Sequence, residues 1–483
     1  MPSQQKVAAV CRSSVQGAGG DINTTGCVMA SRLIDSQTRA HLSLRRIVHT
    51  WWPLTASWMM MTIEGPLIVA MVARLPASAI NLAALGGIVR ALTFAIESPI
   101  LMLLSASAAL SKDWDAYRRL RTYTVWGILI LTAVHAIIAF TPVYYLVTRG
   151  LIGAPAEIIE PGRIGMMITV PYLAAVAYRR FNQGVLIRFG HSRAVAAGTG
   201  LRLVTVLAIM AGGLLLHSAS GVIVAALTMT VGVTVEASYI ERRVRPVLRT
   251  QVKGAAVLAP DLTVQRFLKF YIPLAMTSVA MYLMQPVVSA ALSRMPDALI
   301  SLAVWPPVMG IAMLLASGGM AMVEVVVTLL DQPRTFASLR RFTVLLMGVT
   351  ALLAVALAAT PLGAFWFGRV SALREPILDV ARHAFWVALL YPIALVIQGL
   401  YQGVLTHAHH TRRITEAVFL NLLVSLTILS LGVVSGRLTG IYVGVGATVV
   451  ATVVQGIWLR LRSRPVLRRE TSTLSPPLLD EQA

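Results

Sequence analysis

Apolar residues in this chain come in long blocks with no sustained period-two alternation, and the blocks are separated by short polar segments rich in arginine. Twelve such blocks can be traced, at about 49–73, 80–109, 122–147, 162–186, 194–216, 219–240, 266–291, 297–329, 342–366, 382–405, 414–435 and 439–460. Each is long enough to cross a hydrocarbon core of about 30 Å as an α-helix. The pattern predicts an all-α polytopic membrane protein with twelve transmembrane helices. Composition agrees: 57% of the 483 residues are hydrophobic, mean hydropathy is +0.75, and only 13% are charged. Soluble domains carry roughly twice that share of charge, so a soluble enzyme or a fibrous repeat is excluded.

The two halves of the chain repeat at a spacing of about 220 residues. Trp52-Pro53-Leu54 matches Ile272-Pro273-Leu274, Pro66 matches Pro286, Arg74 matches Arg294, and Leu82-Ala83 matches Leu302-Ala303. Further on, Gln183-Gly184-Val185-Leu186 matches Gln402-Gly403-Val404-Leu405, and His191-Ser192-Arg193 matches His410-Thr411-Arg412. Six helices per half is an even number, so the repeats are parallel, a 6+6 arrangement that sets a substrate path between two bundles. The expected divisions are a disordered tail over 1–45, an N-terminal bundle over 46–240, a linker over 241–265, a C-terminal bundle over 266–460 and a second tail over 461–483. Pro66 and Pro286 fall inside corresponding helices, where a missing N–H predicts paired kinks.

Formal net charge is +21, which in a soluble protein would direct attention to nucleic acid. Here the positive-inside rule accounts for most of it. With the N-terminus inside, the inner segments hold about 28 Lys and Arg and the outer loops about 8. Both termini and tails are expected in the cytoplasm, nucleic acid is not an expected partner, and an arginine-rich composition points to a bacterial inner (plasma) membrane. The two cysteines, Cys11 and Cys27, lie in the polar N-terminal segment and offer no disulfide framework or metal site.

A charge near the bilayer centre costs about 2.5–3.5 kcal/mol or more, so each one calls for a reason. Glu64 lies in the first helix beside Gly65-Pro66, and Arg90 and Glu97 lie two turns apart on the second, with Glu64 the expected partner of Arg90. Arg179, Arg180 and Gln183 share one side of the fourth helix, and Glu324 lies in the inner part of the eighth. Guanidinium pairs in a cavity suit phosphate or carboxylate; the alternative is that Arg179 and Arg180 snorkel to the headgroups. Glu236, Lys269 and Glu416 read as interfacial. The counterparts of Glu64, Arg90, Glu97, Arg179 and Arg180 in the second half are Met284, Gly310, Ser317, Gln398 and Gly399, so the buried charge belongs to one bundle only. His191, His407, His409 and His410 lie in basic inner loops without a carboxylate or thiol partner and read as solvated, not as a metal site.

No P-loop, HExxH or nucleophile-elbow motif is present in a plausible context, so neither catalysis nor a cofactor is expected. The loop Ser111-Lys112-Asp113-Trp114-Asp115-Ala116-Tyr117-Arg118-Arg119 lacks the glycine expected of the major facilitator pattern. With a proline-bent first helix in each half and small basic loops after helices 4 and 10, the chain resembles the multidrug/oligosaccharidyl-lipid/polysaccharide (MOP) exporter superfamily, with its MATE-like fold. Within it, Trp52-Pro53-Leu54, Gly87 through Pro99, the segment from Ala133 to Phe140, Tyr172-Leu173-Ala174-Ala175 and Phe270-Tyr271-Ile272-Pro273-Leu274 are similar to the progressive ankylosis protein family. That resemblance implies export of small polyanions, although this chain differs in carrying charge at Arg90 and Glu97. Three functions stay open at this point. They are a secondary antiporter or exporter of an organic or phosphorylated anion or a drug-like solute, a lipid-linked oligosaccharide flippase, and a membrane-embedded enzyme or scaffold. The partners expected are membrane lipids, a small-molecule substrate, and a proton or sodium ion as coupling ion.

Overall fold

The structure is a computed structural model that describes residues 43–215, 220–255, 262–330 and 335–472. Most of the N-terminal tail with Cys11 and Cys27, Arg334, and the end of the C-terminal tail lie outside these residues. The described residues form twelve long helices: α1 (Leu44–Val72), α2 (Ser78–Leu110), α3 (Trp114–Phe140), α4 (156–188), α5 (Ser192–Leu215), α6 (Gly221–Val252), α7 (Val264–Ser293), α8 (Ala298–Leu329), α9 (Thr335–Ala359), α10 (Ile377–His407), α11 (Thr411–Ser435) and α12 (Gly440–Leu467). All but α4 are long and apolar enough on their own to cross a membrane. The exception consists of Ala156–Ile168 and Val170–Arg188, joined at Thr169, and it carries the Arg179-Arg180 pair. This is a multi-pass membrane protein. We call the side on which α1 begins the near side and the opposite one the far side.

The sequence repeat is written into the backbone. Left-handed residues occur in pairs at the repeat spacing: Ala77 with Asp297, Gly153 with Ala372, and Gly190 with His409. Helix α1 breaks at Ile63 and α7 at Leu283, each three residues before the proline that removes the hydrogen bond to the preceding turn. Asn81 on α2 accepts the Val222 N–H at the start of α6 (3.1 Å), and Ser301 on α8 accepts the Ile441 N–H at the start of α12 (3.0 Å).

Helices α1 and α7 straddle the two halves. In the near half of the molecule Trp51 of α1 donates its indole N–H to the Gly318 carbonyl of α8 at 2.9 Å. Reciprocally, Tyr271 of α7 donates to the Pro99 carbonyl of α2, and Ser278 to the Ser98 carbonyl at 2.8 Å. Toward the far side the halves meet directly. A Cβ on Gly86 would strike Pro306, one on Gly87 would press on Leu302, and Gly310 faces Pro66. The outer parts of α2 and α8 are therefore in backbone-close contact, which small residues alone permit.

Within each half the closest approach is between α2 and α4, and between α8 and α10. A Cβ at Gly184 would overlap Ser107 Oγ and the Leu104 carbonyl, whereas Gly127 on α3 has open space around it. Gly184→Val is expected to destabilise the protein by about 1–3 kcal/mol or more, while Gly127→Ala stabilises it by about 0.5–1 kcal/mol through helix propensity; thermal unfolding in detergent compares the two.

Candidate functional site

Four charged residues of the N-terminal half, Glu64, Arg179, Arg202 and Glu236, form one network in the membrane-spanning region around the carboxylate of Glu236 on α6, which is wholly buried. Arg179 Nη1 of α4 donates to Glu236 Oε2 at 2.6 Å, and Arg202 Nε of α5 lies 3.6 Å from the same oxygen. Gln183 Nε2 (3.1 Å) and the Thr199 hydroxyl (3.3 Å) donate to Oε1. Arg202 then reaches on to Glu64 Oε2 of α1 at 3.0 Å. A chain of alternating charge thus links α1, α5, α6 and α4. Each charge that the apolar surroundings would penalise is matched by a neighbour, the condition under which buried ion pairs persist.

Two sequence expectations change here. Glu236 is not interfacial: α6 runs on to Val252, so the residue lies mid-helix rather than near an end. Glu64 does not pair with Arg90, because Arg202 takes it. Arg202 and Glu236 were legible by the rule that exposed the others, since their repeat counterparts, Asn421 and Gln455, are uncharged. Glu416, by contrast, sits at the near-side surface, paired with Arg462 at 2.9 Å.

A second group faces the other half of the molecule. Arg90 is half-buried; its guanidinium lies 5.2 Å from the Phe94 ring centroid and beside Gly65, and it forms no ion pair among the described residues. Arg180 is half-buried, with a buried Nε that has no hydrogen-bond partner among the described residues. Glu97 is 4% exposed and its Oε2 is likewise unpartnered. Arg180, Arg179 and Arg90 are the cations acting on Glu97, and Tyr172 lies beside it. The Tyr282 phenol of α7 is within the electrostatic reach of Glu97, Arg180 and Arg90, and its ring packs edge-on against Phe94, centroids 6.1 Å apart. Arg179 and Arg180, adjacent in sequence, point about 100° apart around the helix. One enters the Glu236 network and the other turns toward α2 and α7.

The local backbone explains why only this half holds such a group. Helix α8 is continuous, while α2 is interrupted twice, by a π-helical turn ending on Arg90 (Leu85–Arg90) and a 3₁₀ turn immediately after Glu97 (Ser98–Ile100). In the C-terminal half the counterparts of Pro99 and Arg180 are Gly319 and Gly399, and a Cβ on Gly399 would overlap the Gly319 carbonyl. Two glycines make this contact there, where the N-terminal half carries a proline and an arginine. Gln398 hydrogen-bonds within its own half, to the Thr452 carbonyl at 2.9 Å. Glu324 lies apart from both groups, exposed on the near half of α8.

The architecture has counterparts among solved structures. An inward-facing multidrug resistance MATE family transporter of the MOP superfamily aligns with a TM-score of 0.59 at 15% identity, covering 89% of this chain and all of its own. The lipid II flippase MurJ in an inward closed conformation gives 0.65 at 15% identity, covering 85% of this chain and 87% of its own. The eukaryotic MATE transporter AtDTX14 gives 0.58 at 14%, covering 89% and 99%. The chain has a MATE-like fold. At these identities the likeness is one of fold. No family model and no curated protein sequence matches the chain, so the narrower resemblance to the progressive ankylosis family rests on the short apolar stretches alone.

Removing one member of the Glu236 network strands buried charge. Glu236→Leu, which leaves Arg179 without its partner, is expected to cost about 3–5 kcal/mol. Glu236→Gln, which keeps hydrogen-bonding capacity, is expected to cost less. Thermal unfolding of the two variants beside Glu236→Leu/Arg179→Met, in which the stranded guanidinium is also removed and stability partly returns, checks the assignment.

Proposed function

We propose that this protein is a secondary transporter that moves a small organic or phosphorylated anion across the inner membrane by alternating access between its two halves, in the direction of export, with both termini in the cytoplasm. One observation carries this reading. The two places where α2 departs from its repeat partner adjoin Arg90 and Glu97, and together with Arg180 they leave two half-buried guanidiniums without ion pairs among the described residues, facing α7. Holding a cation in an apolar setting without a partner is costly, and an anionic substrate removes that cost on binding. The planar guanidinium fork suits carboxylate or phosphate oxygens, and Phe94 and Tyr282 offer aromatic surface to an organic moiety.

Glu64 is already neutralised by Arg202, which leaves Glu97 as the carboxylate free to respond to a coupling proton or sodium ion. Arg179, Gln183 and Glu236 hold α4 in place behind the site. Pro66 and Pro286, at matching kinks of the two helices that straddle the halves, supply the bends about which those helices can follow a rocking motion. A lipid-linked oligosaccharide flippase is the second reading, supported by the similarity in fold to the lipid II flippase. No catalytic role is assigned.

Proteoliposomes loaded with organic and phosphorylated anions, with cationic drugs as the contrast, test the proposal under an imposed pH or sodium gradient. Anion efflux is expected, falling at least tenfold in Arg90→Ala and Arg180→Ala, with Glu97→Gln losing its dependence on the gradient. Efflux of cationic drugs that is indifferent to both arginines would overturn it.

A further inference from the structure

Two arginines that the site does not use, Arg74 and Arg294, are repeat counterparts, and the structure places them in the same environment with the halves exchanged. Arg74 follows the far end of α1, where Gly221 of α6 packs against Val72, in the N-terminal half. Its Nη1 donates to the Ala70 carbonyl one turn back (2.6 Å) and to the Val370 carbonyl of the other half (2.9 Å), and its Nη2 donates to the Arg369 carbonyl (2.8 Å). Arg294 follows the far end of α7, where Gly440 and Gly444 of α12 pack on Leu292, in the C-terminal half. Its Nη1 donates to the Ala290 carbonyl (2.9 Å) and to the Ile152 carbonyl of the other half (2.7 Å). Its Nη2 donates to Leu151 (2.7 Å) and Gly150 (3.1 Å).

The acceptors are also equivalent. Residues 146–152 and 365–370 are π-helical turns followed by left-handed residues, Gly153 directly and Ala372 after Ser371. In each, a following N–H turns back to satisfy one carbonyl, Ala154 to Thr148 and Leu373 to Phe367, both at 2.9 Å. The final carbonyls of each turn are left to the arginine of the opposite half. A helix C-terminus carries unsatisfied carbonyls and partial negative charge. Each guanidinium thus joins two such ends, one from each half, that would otherwise repel.

From this we infer that Arg74 and Arg294 form a two-fold-related latch that holds the far side of the protein closed. Beneath it, Gly86 on Pro306 and Gly87 on Leu302 are apolar contacts, joined by one buried hydrogen bond from the Ser289 hydroxyl of α7 to the Gly87 carbonyl of α2. The latch adds five hydrogen bonds across the same seam at its exposed edge. Both arginines are exposed, so water can replace every one of these bonds when the halves separate, as a reversible closure requires. Both latches span one opening, so their effects multiply.

The test uses no substrate and is therefore independent of the transport reading. In full-length protein with Cys11→Ser and Cys27→Ser, spin labels are placed on exposed far-side positions of the two halves, Val143→Cys and Leu362→Cys. A second pair, Ile187→Cys and Thr411→Cys, reports on the near side. Loss of each latch is expected to raise the ratio of far-open to far-closed molecules about tenfold, the equivalent of one charge-assisted hydrogen bond. R74A/R294A is then expected to populate long far-side distances while the near-side pair shortens. R74K and R294K, each keeping a charge but not the fork, are expected to lie between, and they decide the matter if the double variant does not fold. Far-side distance distributions unchanged from the parent in folded R74A/R294A, or in both lysine variants, would overturn the proposal.

Discussion

A carboxylate with no access to water organises the N-terminal half. Arg179, Arg202, Gln183 and Thr199 surround Glu236 there and satisfy its two oxygens, and those four residues come from two further helices. Once α4 is fixed through Arg179, the geometry of an α-helix turns Arg180 outward, toward α2 and α7. The network that makes the bundle cohere is thus also what presents at its face a cation with no ion pair among the described residues. Arg202 extends the same logic to α1 through Glu64, tying the helix that straddles the two halves to the bundle that holds the site.

The repeat supplies the background against which this stands out. Left-handed residues, proline breaks, strand-free helix ends bonded by Asn81 and Ser301, and the two far-side arginines all recur at the same spacing among the described residues. Helix α2 is where the symmetry lapses. Its π-helical turn and its 3₁₀ turn disrupt the regular ladder next to Arg90 and Glu97, and irregular backbone inside a membrane persists only where protein or a polar cavity satisfies it. In the C-terminal half the equivalent positions, Gly319 and Gly399, pack directly against one another.

Much of this was open to reading from one chain. Length and apolarity marked out eleven of the twelve long helices, α4 falling short with its arginine pair, and comparison of matched positions singled out Glu64, Arg90, Glu97, Arg179 and Arg180. Helix ends were less legible, because α6 continues beyond its apolar block on a basic, amphipathic extension; Glu236 was therefore misplaced at an interface. Partner choice was not legible at all. Glu64 and Arg90 lie on consecutive helices, yet Arg202, more than a hundred residues later, is the cation that reaches Glu64.

The sequence by itself determined the solvent, the spans, the duplication and the half in which charge is buried, since each follows from composition or from periodicity along one dimension. The tertiary structure alone decided which charges neutralise one another and which are left over. Ion pairing depends on a few ångströms between side chains of different helices, and helix rotation, a π-helical turn or a proline shifts those distances without leaving a signal in hydropathy. It also decided that Arg74 and Arg294 reach into each other's half, an exchange that a matched pair of residues announces only once the two halves are seen together.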